Sequence, residues 1–255
     1  MQKTLVLQSH QQPLPAKWMQ ACINSVKSWA VLNNFFYKFI DDEIFYYVSD
    51  FILEKTKKQK VIATDLARLK VLKKYLAEGY DTVVWCDADF LVFLPEKFHL
   101  PDEAYAVGRE VWIQGENNDS KKLTAHIKVH NAFMMFREDN SFLDFYIDTA
   151  ERLLLSNNGS MPPQFIGPKL LTAIHNVAQC PVLESAGMLS PLVIKDITKG
   201  GGRSLELFQK KSSQPIYAAN LCNSLFESGA YNANTIEKCI DALKTDKHIN
   251  VYTIK

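Results

Sequence analysis

The chain has no run approaching the roughly 18 consecutive apolar residues that a membrane-crossing helix needs. Its start, MQKTLVLQSHQQ, is apolar only from Leu5 to Leu7, too short for the hydrophobic region of a signal peptide. No transmembrane segment is therefore expected, and the location read from the sequence is cytoplasmic; peripheral contact with a membrane stays open. Charge of one sign is also missing: the net charge is +1, which gives no electrostatic case for nucleic acid or an acidic partner. No C-x-x-C pair occurs. The five cysteines (Cys22, Cys86, Cys180, Cys222, Cys239) are scattered and odd in number, as expected of buried, reduced thiols rather than a disulfide framework. No G-x-x-x-x-G-K-[ST] phosphate loop is present. Internal repeats, low-complexity tracts and clear linkers are absent too, so residues 1–255 are expected to form a single domain.

What is present is an ordinary globular composition, 47% hydrophobic and 22% charged. A chain of 255 residues can bury a stable core without disulfides or a structural metal. KTLVLQSH reads as a buried strand ending near Ser9. AKWMQACINSVKSWA follows with helical period, placing Trp18, Cys22, Val26 and Trp29 on one face, and NNFFYKFID reads as a second strand. This β-α-β start predicts an α/β fold with a partly parallel sheet. ATDLARLKVLKKYLAEG is a helix with a stripe of Leu66, Leu69, Leu72 and Leu76, Thr64 as N-cap and Gly79 as stop. DTVVWCDADFLVF then begins as a strand. AYAVGREVWI reads as a strand, GENNDSKKLTAH as a polar loop and IKVHNAFMMFR as another strand. SFLDFYIDTAERLLL is a helix capped by Asn140 or Ser141. GPKLLTAIHNVA is a helix with Pro168 in its first turn, and ITKGGGRSLELFQKKSSQP is a glycine-rich basic loop. NTIEKCIDAL is a helix whose Asn234 and Glu237 have capping-box spacing.

Asp87 and Asp89 sit inside the apolar stretch VVWCDADFLVF. An unpaired buried carboxylate is costly, and Asp is poorly suited to a strand. If the strand continues, the two side chains project together; if it has ended, they lie beyond its C-terminal end, where open α/β sheets bind ligands. Two convergent carboxylates repel unless a cation or a donor-rich partner lies between them. A hard divalent cation satisfies both and commonly holds substrate phosphates as well, so the pair points to a metal–phosphate site.

DLARLKVLKKYLAEGYDTVVWCDADFLVF resembles the core of GT-A fold nucleotide-sugar glycosyltransferases that carry a DXD motif. The group nearest in pattern includes capsular polysaccharide synthesis and mannosyltransferase-like enzymes. Asp65, Arg68, Gly79, Asp87 and Asp89 match their helix, turn and Asp-x-Asp strand end. HNAFMMF, IGPKLLT and YAANLCNSL resemble later segments of the same group. The resemblance implies a mixed sheet flanked by helices in a single GT-A domain. It also implies metal-dependent transfer of a sugar from a UDP- or GDP-sugar to a glycan or other small acceptor, with retention, and Mn²⁺ or Mg²⁺ as cofactor. Asp89 is then a direct metal ligand and Asp87 a ligand to the metal or the ribose. Asn220 stands where relatives tend to have a metal-binding histidine and takes that place. Gln8, Ser9 and His10 would meet the nucleotide, with Asp65 and Arg68 on the donor. His130, Asn131, Gly167 and Pro168 would meet sugar or acceptor.

Each of these residues also has a plainer reading. Asp65 and Arg68 have the i,i+3 spacing of a surface ion pair, worth little to stability. His130 equally suits a satisfied strand end, and His10 a loop. Among carboxylates available as a base toward an acceptor hydroxyl, Glu110, Glu116, Asp144, Glu184 and Asp196 are not separated by sequence. Two other functions compete. A haloacid-dehalogenase-type phosphatase would use the first Asp as nucleophile, but Phe90 and Leu91 do not fit its pattern. A nucleotide-sugar-binding protein without turnover is the second.

Overall fold

The computed structural model describes residues 2–116 and 119–245, with the side chains at 116 and 119–121 left aside. β1 (Thr4–Ser9) and β3 (Thr82–Cys86) are buried along almost their whole length because both faces of their sheet are covered. Leu5, Leu7, Val83 and Trp85 face one cluster, while Val6, Val84 and Cys86 face another. α1 (Lys17–Leu32) covers the second face with Val26, Trp29 and Ala30. α3 (Lys60–Ala77) covers the first with Leu66, Leu69 and Leu72, so both expected apolar stripes are buried apart from Leu76, which is half-buried against the same cluster.

The six-stranded sheet has the order β2-β1-β3-β6-β5-β7, with β2 at Phe36–Ile40, β5 at Tyr105–Glu116, β6 at Asp119–Arg137 and β7 at Val182–Leu183. β1 runs parallel to β2 and β3; β6 is antiparallel to both β3 and β5. A second sheet of three short strands, β4 (Phe90–Val92), β9 (Ala218–Asn220) and β8 (Ala186–Met188), carries the chain past Asp89. The expected mixed α/β sheet with flanking helices is therefore present, and the five cysteines are free and buried.

Several local expectations are corrected. Between β2 and α3 lie a 3₁₀ turn (Asp42–Tyr47) and α2 (Asp50–Thr56), and α3 starts at Lys60. Thr64 is thus inside the helix, past its first turn, its hydroxyl donating to the Lys60 carbonyl, and caps nothing. Gly79 does end α3, at φ +90°, a conformation that disfavours a side chain. The expected loop 115–126 belongs largely to a two-stranded ribbon: Glu110 pairs Lys128, Trp112 pairs His126 and Gln114 pairs Thr124. Its polar residues misled because the ribbon projects beyond the covered part of the sheet.

α4 (Ser141–Ser156) is capped by Asn140, whose carbonyl oxygen accepts from Leu143 N at 3.0 Å. A π turn (Phe165–Lys169) containing Pro168 precedes α5 (Leu170–Ala178). The glycine-rich loop expected at 197–215 follows α6 (Pro191–Ile197) and instead contains a three-glycine turn and α7 (Arg203–Lys211). Asp196 accepts from Ser204 N and Leu205 N at the start of α7. α8 (Asn223–Glu227) follows β9. α9 (Ala233–Thr245) is capped by Asn232 through Thr235 N, two residues before the expected Asn234.

Candidate functional site

β3 stops at Cys86, and Asp87 to Phe90 form a tight turn closed by Phe90 N donating to Asp87 O at 3.0 Å. Both aspartates therefore lie beyond the C-terminal end of a central parallel strand. Neighbours fix the turn from either side. Asp87 N donates to Ala132 O of β6 at 2.9 Å, and Gln8 Nε2 of β1 donates to Asp87 O at 3.0 Å. Asp87 Oδ1 accepts from Trp85 Nε1 at 2.7 Å and Arg68 Nη1 at 2.9 Å. Trp85 points to α3 because it is two residues before Asp87 on one face of the strand, and its buried indole N–H needs an acceptor.

Arg68 and Asp65 form no surface pair. Their side chains are 6% and 4% exposed. Arg68 Nη1 also reaches the Asn131 carbonyl at 3.1 Å, Nη2 lies 3.3 Å from Asp65 Oδ1, and the guanidinium sits 5.2 Å from the Trp85 ring centre. Asn131 Nδ2 donates to Asp65 Oδ1 at 2.9 Å. Asp65 Oδ2 is buried with no hydrogen-bond partner among the described residues. Burial raises the Asp65 carboxyl above its usual range, against the opposing pull of Arg68 and Asn131. Gly167 leaves room for this group: a Cβ there would come within 2.4 Å of Asp65 Oδ2.

Asp89 is held by donors on both oxygens: Asn220 Nδ2 to Oδ1 and Asn223 N to Oδ2, each at 2.6 Å. Burial and then the Asp87 charge push its carboxyl up to about 6, while these two donors pull it down. Asn220 Oδ1 accepts from Cys222 N at 2.7 Å. Turning the amide over would set its NH₂ against that N–H, so the carbonyl oxygen cannot face Asp89. As placed, Asn220 faces Asp89 through an N–H that cannot bind a cation, and so positions that carboxylate. Among the described residues no cluster of three or more His, Cys, Asp or Glu is arranged to hold a metal. The donor set is two hard carboxylates, which fits Mg²⁺ or Mn²⁺ bound chiefly through substrate phosphates and not a closed protein centre.

These groups line a cavity of about 850 Å³ that also takes in Ser9, His10, Asp65, Arg68, Asn131, Pro168 and Asn220. Three expected site residues lie in its supporting wall. Gln8 is fully buried, with its amide nitrogen on Asp87 O and its carbonyl accepting from Tyr37 Oη at 3.0 Å. His130 is fully buried, its Nε2 on Ala186 O at 3.1 Å and its Nδ1 accepting from Ala132 N. Burial lowers its ring to about 4, so it stays neutral. A Cβ at Gly108 would stand 2.1 Å from that ring, which is why glycine occupies the bulge opposite. Gly167 contributes space rather than contacts. Sequence reasoning missed Trp85, Asn223 and the ribbon residues Trp112, His126 and Lys128; the i,i+2 spacing of Trp85 to Asp87 was the one available signal.

No protein-family model matches this chain, and no curated protein does. Among solved structures, a glycosyltransferase involved in glycosylation of the major capsid of PBCV-1 is similar at TM-score 0.43 and 10% identity, over 94% of this chain and 98% of that one. Galactosyltransferase LgtC, in complex with donor and acceptor sugar analogs, is similar at TM-score 0.43 and 13% identity, over 95% and 96%. An active-site mutant of LgtC gives TM-score 0.46 and 11% identity over 94% of each chain. At these scores the functional reading rests on the site's own residues. Among the described residues no helix is long and apolar enough to cross a membrane.

Proposed function

We propose that this protein is a GT-A-type glycosyltransferase, acting as one domain, that moves a sugar from a UDP- or GDP-sugar to the hydroxyl of a glycan or other small acceptor. The observation that carries this reading is the Asp87–Ala88–Asp89 turn, placed at the C-terminal end of β3 in the cavity wall and held there by Arg68. A site built this way binds a polyanion only with a counter-charge. Asp87 and Asp89 would hold Mn²⁺ or Mg²⁺ arriving with the donor diphosphate, and the cation would neutralise charge on the departing nucleoside diphosphate. Ser9 and His10, at the end of β1, suit the nucleotide side of the cavity.

Asp65 Oδ2 is the acceptor for a donor-sugar hydroxyl, because it is buried, unpartnered and part of the cavity wall. Arg68 holds Asp65 and Asp87 in place; its bonds are to protein, so it positions these groups rather than grasping phosphate. Retention of configuration belongs to the same proposal and is read from the anomer of the product.

The test is release of nucleoside diphosphate from a panel of UDP- and GDP-sugars with Mn²⁺ or Mg²⁺. Turnover by the wild type that is lost in Asp89→Asn supports the proposal. Tight binding without turnover returns the protein to the binding-only class, and hydrolysis of a generic phosphate ester would return it to the phosphatases.

A further inference from the structure

The β5–β6 ribbon presents an uncommitted face to the cavity. Glu110, Trp112 and Gln114 alternate along β5 and share one side, opposite Lys128, His126 and Thr124 of β6. All of these but Thr124 line the cavity. Three of the four tryptophans, Trp18, Trp29 and Trp85, are buried in the core. Trp112 is the half-buried one, with part of its ring open to the cavity. His126 Nε2 is buried without a hydrogen-bond partner among the described residues, an unmet polar atom in the same wall.

The five carboxylates that the sequence left equivalent are now separated. Glu184 forms a bidentate pair with Arg109 and accepts from Ser213. Asp196 caps α7, and Asp144 pairs with Lys73 at the surface. The Glu116 side chain lies outside those described. Glu110 alone of the other four lines the cavity. Burial raises its carboxyl, with Lys128 opposing. It shares that cavity with the Asp turn: Glu110, Asp87, Asp89 and Cys222 all line it.

Strand order decides which ligand this face takes. The Asp turn ends β3; β1, with Ser9 and His10, flanks it on one side, and β6 with β5 flanks it on the other. The ribbon is thus the wing away from the nucleotide side. A carboxylate there repels a diphosphate and suits a neutral hydroxyl. An aromatic ring beside it suits the C–H face of a pyranose, with polar groups at the rim to fix orientation. We infer that Trp112, Glu110 and His126 form the acceptor subsite and that it takes a pyranose sugar, the ring stacked on Trp112 and a hydroxyl donating to Glu110. This inference rests on the proposed transfer reaction for the word acceptor, but the sugar site itself can be tested without turnover.

The test titrates methyl α- and β-hexopyranosides (gluco, galacto and manno) into the full chain, with and without UDP or GDP and Mg²⁺, while tryptophan fluorescence is followed. Saturable quenching by at least one sugar is expected from the wild type. Trp112→Phe should abolish the signal, and Glu110→Gln should weaken sugar binding about tenfold or more, as loss of a charged hydrogen bond does. UDP or GDP affinity should not fall in either variant, since neither residue meets the nucleotide and Glu110→Gln only removes a repelling charge. Quenching that survives Trp112→Phe, sugar affinity unchanged in Glu110→Gln, or no sugar binding by the wild type would overturn the inference. A nucleotide affinity that falls in Trp112→Phe would also overturn it, making Trp112 a platform for the base. Sugar binding that follows these residues in a protein that binds no UDP or GDP would sink the transferase proposal and leave the subsite standing.

Discussion

Arg68→Ala should be among the most destabilising single changes in this protein, and the reason is burial. A surface i,i+3 ion pair contributes on the order of 0.5 kcal/mol. Here Arg68 is 6% exposed, lies 2.9 Å from Asp87 Oδ1 and 3.3 Å from Asp65 Oδ1, and donates to the Asn131 carbonyl at 3.1 Å. Its removal strands Asp65, whose Oδ2 is already unpartnered. Breaking a buried pair by deleting one partner costs about 3–5 kcal/mol. The assay is urea unfolding at pH 7.

The pH dependence supplies a second check. Burial already raises the Asp65 carboxyl, and Arg68 is the chief group holding it down. Without Arg68 the folded-state pKa moves further above the unfolded value. The folded variant then keeps a proton that the unfolded chain releases, so its deficit shrinks as pH falls below 7 toward the acid range and grows as pH rises. A loss below about 1 kcal/mol would place Arg68 with ordinary surface pairs, and a deficit constant across this pH range would show that Asp65 is not the stranded group.

Gly167→Ala should cost about 1–3 kcal/mol in the same assay, because the new Cβ would stand 2.4 Å from the Asp65 carboxylate; an unchanged midpoint contradicts that packing. Asn220→Ala leaves Cys222 N without its acceptor and should cost about 1–3 kcal/mol. The Mn²⁺ midpoint measured with nucleoside diphosphate should rise only modestly in that variant, since Asp89 loses a positioning donor but the metal loses no ligand; a large shift would restore Asn220 to the metal site. His130 titrates at about 4 in the fold, below the unfolded 6.5. The unfolded chain therefore takes up the proton first, and stability present above pH 6.5 is lost as pH falls toward 4, by up to about 3 kcal/mol. His130→Gln should flatten that part of the stability profile, and an unaltered slope rules His130 out as its source.

The apolar runs of β1 and β3 and the stripes of α1 and α3 were legible because buried strands and amphipathic helices write their period directly into the chain. The Asp-x-Asp turn was legible for the opposite reason, as charge where period predicts none. Burial of polar groups was not legible. Gln8, His130 and Arg68 each look like a surface or ligand residue in sequence, and each is instead buried and held by partners 19 to 79 residues away. Asn220 was read as a ligand because local sequence cannot show that Cys222 N fixes the orientation of its amide. The ribbon 108–130 was half lost to its polar tip, and the cavity face of Glu110 and Trp112 went with it. The α7 helix was missed because its N-terminal support comes from Asp196, across three glycines.

Calorimetric titration of UDP- and GDP-sugars in Mn²⁺ tests most directly whether this cavity is a donor site. The account predicts saturable binding by at least one of them, dependent on the metal and lost in Asp87→Asn and Asp89→Asn variants that remain folded. It also predicts that Mn²⁺ binds weakly without nucleotide, because the protein supplies at most two carboxylates. Wild-type protein that binds none of these sugars, or binding that persists undiminished in both variants, would contradict it.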